Sequence, residues 1–180
     1  MLKGIVMLVL WKVIYLFFLL PGRYVDSPLT NSVGKVAAWG LNIITHPNDY
    51  SSKEESAPAL DTDNGLKTEM QRSIYFGQNK AASVYDGCNA LELMVLYVGF
   101  IICIPADTKR KWLFALVGVI IIYLINVLRC IGVICAIRYY PQQADFIHHY
   151  VFEIVIYAAI IAMWLVFANK INIRNNAQQV

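Results

Sequence analysis

Asp86-Gly87-Cys88-Asn89-Ala90-Leu91-Glu92 is where a polar stretch gives way to a long apolar one, and its reading decides the fold. Asp86 and Gly87 are turn or cap residues, and from Asn89 to Ile104 nearly every side chain is apolar. That pattern reads as a membrane helix with Cys88 in its first turn. A thiol there meets the positive end of the helix dipole, whose free N–H groups favour thiolate. Glu92 falls four residues on, on the same helix face. The plainer role for such a cysteine is that of a small buried hydrophobe. Position alone does not make Cys88 a nucleophile.

Composition supports the membrane reading. The 180 residues are 58% hydrophobic and 15% charged, and mean hydropathy is +0.53, too apolar for a soluble domain of this length. Residues 1–180 read as a single membrane-embedded unit. The net charge of +3 is spread over short links, so it bears on topology and gives no surface for nucleic acid. Cys88, Cys103, Cys130 and Cys135 show neither metal spacing nor a disulfide framework, and three of them lie within apolar runs.

Outward from the cysteine, three apolar segments follow in order. Cys88 to Ile104 stops at Pro105; Trp112 to about Ile137 stops before Pro141; Phe146 to Phe167 follows Asp145 as a helix N-cap. A polar tail occupies 169–180. Upstream, Gly4 to Leu20 reads as another span, closed by Pro21-Gly22. Lys12 inside it costs roughly 2.5–3.5 kcal/mol at a bilayer centre and must snorkel or face protein. Asn31 to Thr45 repeats Val33, Val36, Ala37, Gly40 and Ile44 at helical spacing, but is short and polar. It reads as a helix lying in the interface. The polar region 46–85 reads as a loop that ends in a hairpin. Ser73–Phe76 and Ala81–Tyr85 are its strands, and Gly77-Gln78-Asn79-Lys80 its turn. The expected fold class is therefore all-α: a polytopic bundle of about four spanning helices, one interfacial helix and a small external hairpin and loop region.

Lys109, Arg110 and Lys111 crowd one short link, Lys170 and Arg174 follow the last helix, and Lys3 precedes the first. The positive-inside rule places all three sites in the cytoplasm, against Arg23 and Arg138. Cys88 then begins its helix at the outer face. Arg129, eighteen residues past Lys111, lies roughly 27 Å along its helix, near the outer edge of a core of about 30 Å. His148 and His149 begin the last helix at the same face. A thiol, a guanidinium and an imidazole at one depth are the parts that acyl transfer needs. Asn126, one turn from Arg129 on the same helix, could hold the guanidinium. Snorkelling explains Arg129 alone, and an interfacial position explains either histidine alone.

These residues bring a family into view. Gly87-Cys88-Asn89-Ala90-Leu91, Asn126-Val127-Leu128-Arg129 and Asp145-Phe146-Ile147-His148-His149-Tyr150-Val151-Phe152 resemble the exosortase/archaeosortase family over about Ile74 to Phe167, most of all the short exosortases of Bacteroidetes-type bacteria (exosortase F-like). The family has a cysteine, an arginine and a histidine in this order, each on its own membrane segment. Many members have a small residue or serine after the cysteine where this chain has Asn89, and many are longer. The resemblance implies an inner-membrane cysteine transpeptidase, or protease-like sorting enzyme, working at the periplasmic face. Its partners would be the lipid bilayer, an exported protein with a C-terminal sorting signal, and an acceptor nucleophile. It would need no cofactor and no metal. Cys88 would be the nucleophile, Arg129 the oxyanion or thiolate stabiliser and His148 the proton carrier. His149 is the alternative imidazole, with Asn126, Glu92 and Asn89 as supporting residues. Two other classes remain. A non-catalytic membrane scaffold needs no reactive thiol. A haem or metal protein is poorly supplied, since His148 and His149 point about 100° apart on a helix and His46 is in a loop.

Overall fold

The computed structural model describes residues 25–45, 49–61, 65–85, 88–104 and 107–177, together with Val6, Val9, Leu10 and Val13, which are helical. Most of the first expected span, including Lys12, lies outside the described residues, as do His46, Asp86 and Gly87. The described elements run α1 (Asp26–Ile44), β1 (Tyr50–Asp61), β2 (Gly65–Phe76), β3 (Asn79–Val84), α2 (Leu91–Cys103) and α3 (Thr108–Tyr139). A short α4 (Ala144–Phe146), a π-helical turn (Ile147–Val151) and α5 (Phe152–Ala177) complete them.

α3 is the axis of the bundle. Its 32 residues are long and apolar enough to cross a membrane, as is the Phe152–Lys170 part of α5. α2, at 13 residues, is only about 20 Å long and falls short of a 30 Å core. Two of the four expected spans thus have spanning length among the described residues. Tyr97 of α2 is 1% exposed and lies directly against Gly118 of α3, where a Cβ would collide with its ring; its hydroxyl donates to the Phe114 carbonyl at 3.0 Å. Gly132 of α3 receives the Phe152 ring of α5 in the same way. α5 continues as helix through Ala177, beyond the start of the tail expected from 169.

The all-α expectation needs correcting, because a three-stranded antiparallel sheet, ordered β1-β2-β3, is built from the polar region. The β2–β3 hairpin falls where its alternation indicated, but its turn is tighter, with Phe76 facing Asn79 across Gly77-Gln78. Gly77 has φ +58°, the conformation a type II′ turn needs at its first central position. β1 is the strand that sequence pattern missed. Glu55 on β1 accepts hydrogen bonds from Ser73 and Tyr75 of β2 and pairs with Lys80 of β3 at 3.4 Å, so its carboxylate joins all three strands. Tyr75, then Ser73, hold that carboxyl below the usual glutamate range, with Lys80 adding to the effect.

α1 starts five residues earlier than expected and buries a face rather than only resting on an interface. Asp26, Thr30, Val33, Gly34, Ala37, Ala38 and Leu41 point inward, with the sheet and α3 packed against the helix. Ile44, assigned to the apolar stripe from spacing, is exposed with Trp39 and Ile43 on the outer side. Arg72 of β2 is buried at 6% exposure and ties the layers together. Its Nε donates to Asn31 of α1 at 2.8 Å, and its Nη1 donates to the Ser52 hydroxyl of β1 at 3.1 Å. At the far end of α3, Arg138 stacks 3.8 Å from the Phe76 ring centre and donates to the Tyr50 hydroxyl at 3.1 Å. Arg138, one of the two residues that opposed the positive-inside pattern, is thus held by the sheet.

Candidate functional site

Cys88 sits in a 3-10 turn ahead of α2, and this corrects its expected place in the first turn of the membrane helix. The chain leaves β3, the Cys88 amide donates to the Tyr85 carbonyl at 2.8 Å, and α2 begins three residues later at Leu91. Ala90, at φ +60°, adopts the left-handed conformation that turns the chain into α2. The positive end of α2 therefore begins beyond the thiol's own residue. The side chain of Asn89 fixes this loop. It is 2% exposed; its Nδ2 donates to Asp26 Oδ1 at 2.9 Å and Thr30 Oγ1 at 3.2 Å, and its Oδ1 caps the Leu91 amide at 2.9 Å. The first two bonds seat this segment on α1, and the third fixes the start of α2.

From α3, Asn126 donates its Nδ2 to the Cys88 carbonyl at 2.8 Å. It holds the cysteine's main chain, and the expectation that it would hold the guanidinium is corrected accordingly. Asn126 is fully buried, and its Oδ1 has no hydrogen-bond partner among the described residues.

Arg129 and His148 do meet. Arg129 Nη2 lies 3.3 Å from His148 Nε2. A guanidinium can only donate, so Nε2 is the acceptor and the imidazole proton of the neutral ring resides on Nδ1. His148 lies in the π-helical turn Ile147–Val151, a geometry often found at functional sites. The side chain of His149 is outside what the structure describes. Asp145 is not the N-cap, since that position is Gln143 and no side chain caps the helix there. Glu92 is exposed in the first turn of α2 and does not line the pocket that follows.

One small pocket is lined by Cys88, Arg129 and His148 together with Ala82, Ser83 and Val84 of β3 and Cys130, Val133 and Ile134 of α3. Cys88 is half-buried, as are Arg129 and His148. The thiol is thus reachable from a cavity that also holds a permanent cation and a titratable ring. Sequence reasoning missed the β3 wall. Its one available signal was that the hairpin leads directly into the cysteine. Cys130, read from sequence as a packing residue, faces this pocket while remaining buried.

Fold and site together give a mostly helical chain with, among the described residues, two helices long and apolar enough to cross a membrane, and a thiol, a guanidinium and an imidazole gathered beside the second half of its longest helix. A family model described as transmembrane exosortase (Exosortase_EpsH) matches residues 3–166, and the chain belongs to that family. Membership carries a general assignment, a membrane sorting transpeptidase. No curated protein and no solved structure matches the chain.

Proposed function

We propose that this protein is a cysteine transpeptidase, or protease-like sorting enzyme, that cleaves a C-terminal sorting signal of exported proteins and transfers the acyl group to an acceptor. The observation that carries the reading is the convergence of Cys88, Arg129 and His148 on one pocket, from a loop and two separate helices. Cys88 Sγ attacks the scissile carbonyl, forming a C–S bond. Arg129 donates to the oxyanion, and on doing so releases His148 Nε2 to carry the thiol proton to the leaving amine as the C–N bond breaks. The acceptor nucleophile then attacks the thioester, forming its bond to the acyl carbon as the C–S bond breaks, and the proton it loses passes through His148 to the thiol.

The same reading places the enzyme in a bacterial inner membrane, with this pocket at the periplasmic face. Two basic sites support it. Lys170 lies 5.6 Å over the Phe114 ring, and Lys111 donates to the Ile102 carbonyl at 2.9 Å, so both sit at the end of α3 opposite the pocket. The Asn89 that follows Cys88 supports the short Bacteroidetes-type subfamily. The test is to trap the acyl-enzyme. A tagged exported protein bearing the C-terminal signal should form a hydroxylamine-sensitive adduct on the wild-type chain and none on Cys88→Ala. A Cys88→Ser protein that processes substrate at the wild-type rate would turn the assignment to a scaffold.

A further inference from the structure

The sheet has two edges, and they are built differently. β1 carries Lys53, Glu54, Glu55 and Pro58, the charges and proline that discourage another strand from pairing. β3, the other edge, ends in Ala81-Ala82-Ser83-Val84 with no charge and no proline. One irregularity interrupts it just before the pocket wall: pairing steps from Ile74↔Ala82 to Tyr75↔Lys80, leaving Ala81 as the extra residue, and regular pairing resumes from Ala82 to Val84. Beyond its bonds to β2, Asn79–Val84 makes no further main-chain hydrogen bond among the described residues. The edge also leads somewhere. Ala82, Ser83 and Val84 form a wall of the Cys88 pocket, facing Val133 and Ile134 of α3, and four residues after Val84 the chain reaches the thiol.

We propose that the free edge of β3 docks an extended polypeptide segment of the substrate, which joins the sheet as a fourth strand and is led along it to Cys88. The proposal rests on Cys88 being the nucleophile. Main-chain pairing holds a peptide regardless of its side chains and presents successive carbonyls at fixed spacing, which suits attack at one peptide bond. The pocket side of such a strand meets Ala82, Val133 and Ile134, so small or apolar side chains fit there. Alternate residues of the added strand turn their N–H and C=O toward β3, and the residues between turn them away.

The experiment uses the full-length protein in detergent and two alkylating probes, each losing chloride as a bond to Cys88 Sγ forms. One is chloroacetamide. The other is an acetylated hexapeptide of alternating threonine and valine ending in a chloromethyl ketone. The peptide should label Cys88 at least about tenfold faster, relative to the two probes' rates with a free thiol. N-methylation of its amides one at a time should then cost roughly two- to tenfold at alternate positions and nothing between them. A peptide without advantage, or one whose advantage is indifferent to N-methylation or declines without alternation, overturns the docking while leaving Cys88 as nucleophile. Failure of both probes to label Cys88 overturns the nucleophile reading and the docking with it. Because only the probe is altered, misfolding of a variant cannot imitate any of these results.

Discussion

Asn126 Nδ2 donates to the main-chain carbonyl of Cys88 at 2.8 Å, so the helix that carries Arg129 also holds the cysteine loop. The bond fixes Cys88 and the guanidinium to one rigid element, with Asn126 and Arg129 one turn apart. Asn126→Leu removes that bond, worth about 0.5–1.5 kcal/mol net, but also removes a buried oxygen that has no partner. The two effects oppose each other in stability and not in placement of the thiol. Thermal unfolding should therefore shift little, while processing of a tagged substrate falls by about tenfold or more. An unfolding midpoint that drops in step with activity would make Asn126 merely structural.

Gly132 marks the contact between the helix carrying Arg129 and the helix following His148. A methyl group there collides with the Phe152 ring, so in Gly132→Ala that ring, or the helix carrying it, must shift. Overpacking of this kind costs about 1–3 kcal/mol. Gly132→Ala should lower both stability and activity, and adding Phe152→Leu should restore much of each. A double-mutant cycle on unfolding free energy measures the coupling, and simple additivity would count against this contact.

Glu55 makes the sheet sensitive to pH in a defined direction. Its carboxyl titrates below the usual glutamate range because Tyr75, Ser73 and Lys80 stabilise the charged form. A carboxyl lowered in the folded state contributes stability above its unfolded value and loses it as pH falls through the lowered folded value. Amide exchange in β1 and β2 should therefore quicken as pH drops through the acid range, after correction for intrinsic rates. Glu55→Gln should flatten that dependence. An unchanged profile in Glu55→Gln would assign the acid sensitivity to other carboxylates.

Orientation can be read by labelling. In a cysteine-free background, a single cysteine at position 108 should be modified from the cytoplasm, and cysteines at 78 and 142 from outside. The last two positions belong together because Arg138, near the end of α3, stacks on Phe76, which closes the β2–β3 turn. Cytoplasmic labelling at 142 would reverse the topology and place the Cys88 pocket on the inner side.

How much of this was legible in the chain depends on the range of the interaction that decides each part. α3 and α5 follow from uninterrupted apolar runs, a local signal. The shared depth of Arg129 and His148 was legible from rise per residue, with the Lys109–Lys111 link marking the start of α3 and Pro141 the break before the last helix. β1 was not legible. Ser51 to Glu55 has no clean alternation, and the strand is held by Arg72, Ser73 and Tyr75, eighteen or more residues away. Asn89 and Asn126 were singled out as supporting residues, yet their bonds run to Asp26, Thr30 and Cys88, 63, 59 and 38 residues distant. A helix-face argument about Asn126 and Arg129 could not include a loop packing across that face.

The roles of Arg129 and His148 are separable because they already share a hydrogen bond. In the resting pocket Arg129 donates to His148 Nε2, and a guanidinium drawn toward a developing oxyanion leaves that nitrogen freer to hold the thiol proton. Arg129→Lys keeps the charge but loses the planar fork that can serve Nε2 and an oxyanion in turn. Its processing rate should fall about 10²–10³-fold, the typical cost of one oxyanion donor. Alkylation of Cys88 by chloroacetamide, which develops no oxyanion, should change far less. His148→Ala should slow both reactions, because both need the thiol proton removed, and His148→Gln should not restore processing. His149→Ala should be milder than either. If Arg129→Lys and His148→Ala both process substrate at the wild-type rate while Cys88→Ala does not, the triad is wrong. The cysteine would then draw its base from elsewhere, with Glu92, in the first turn of α2, the next residue to change.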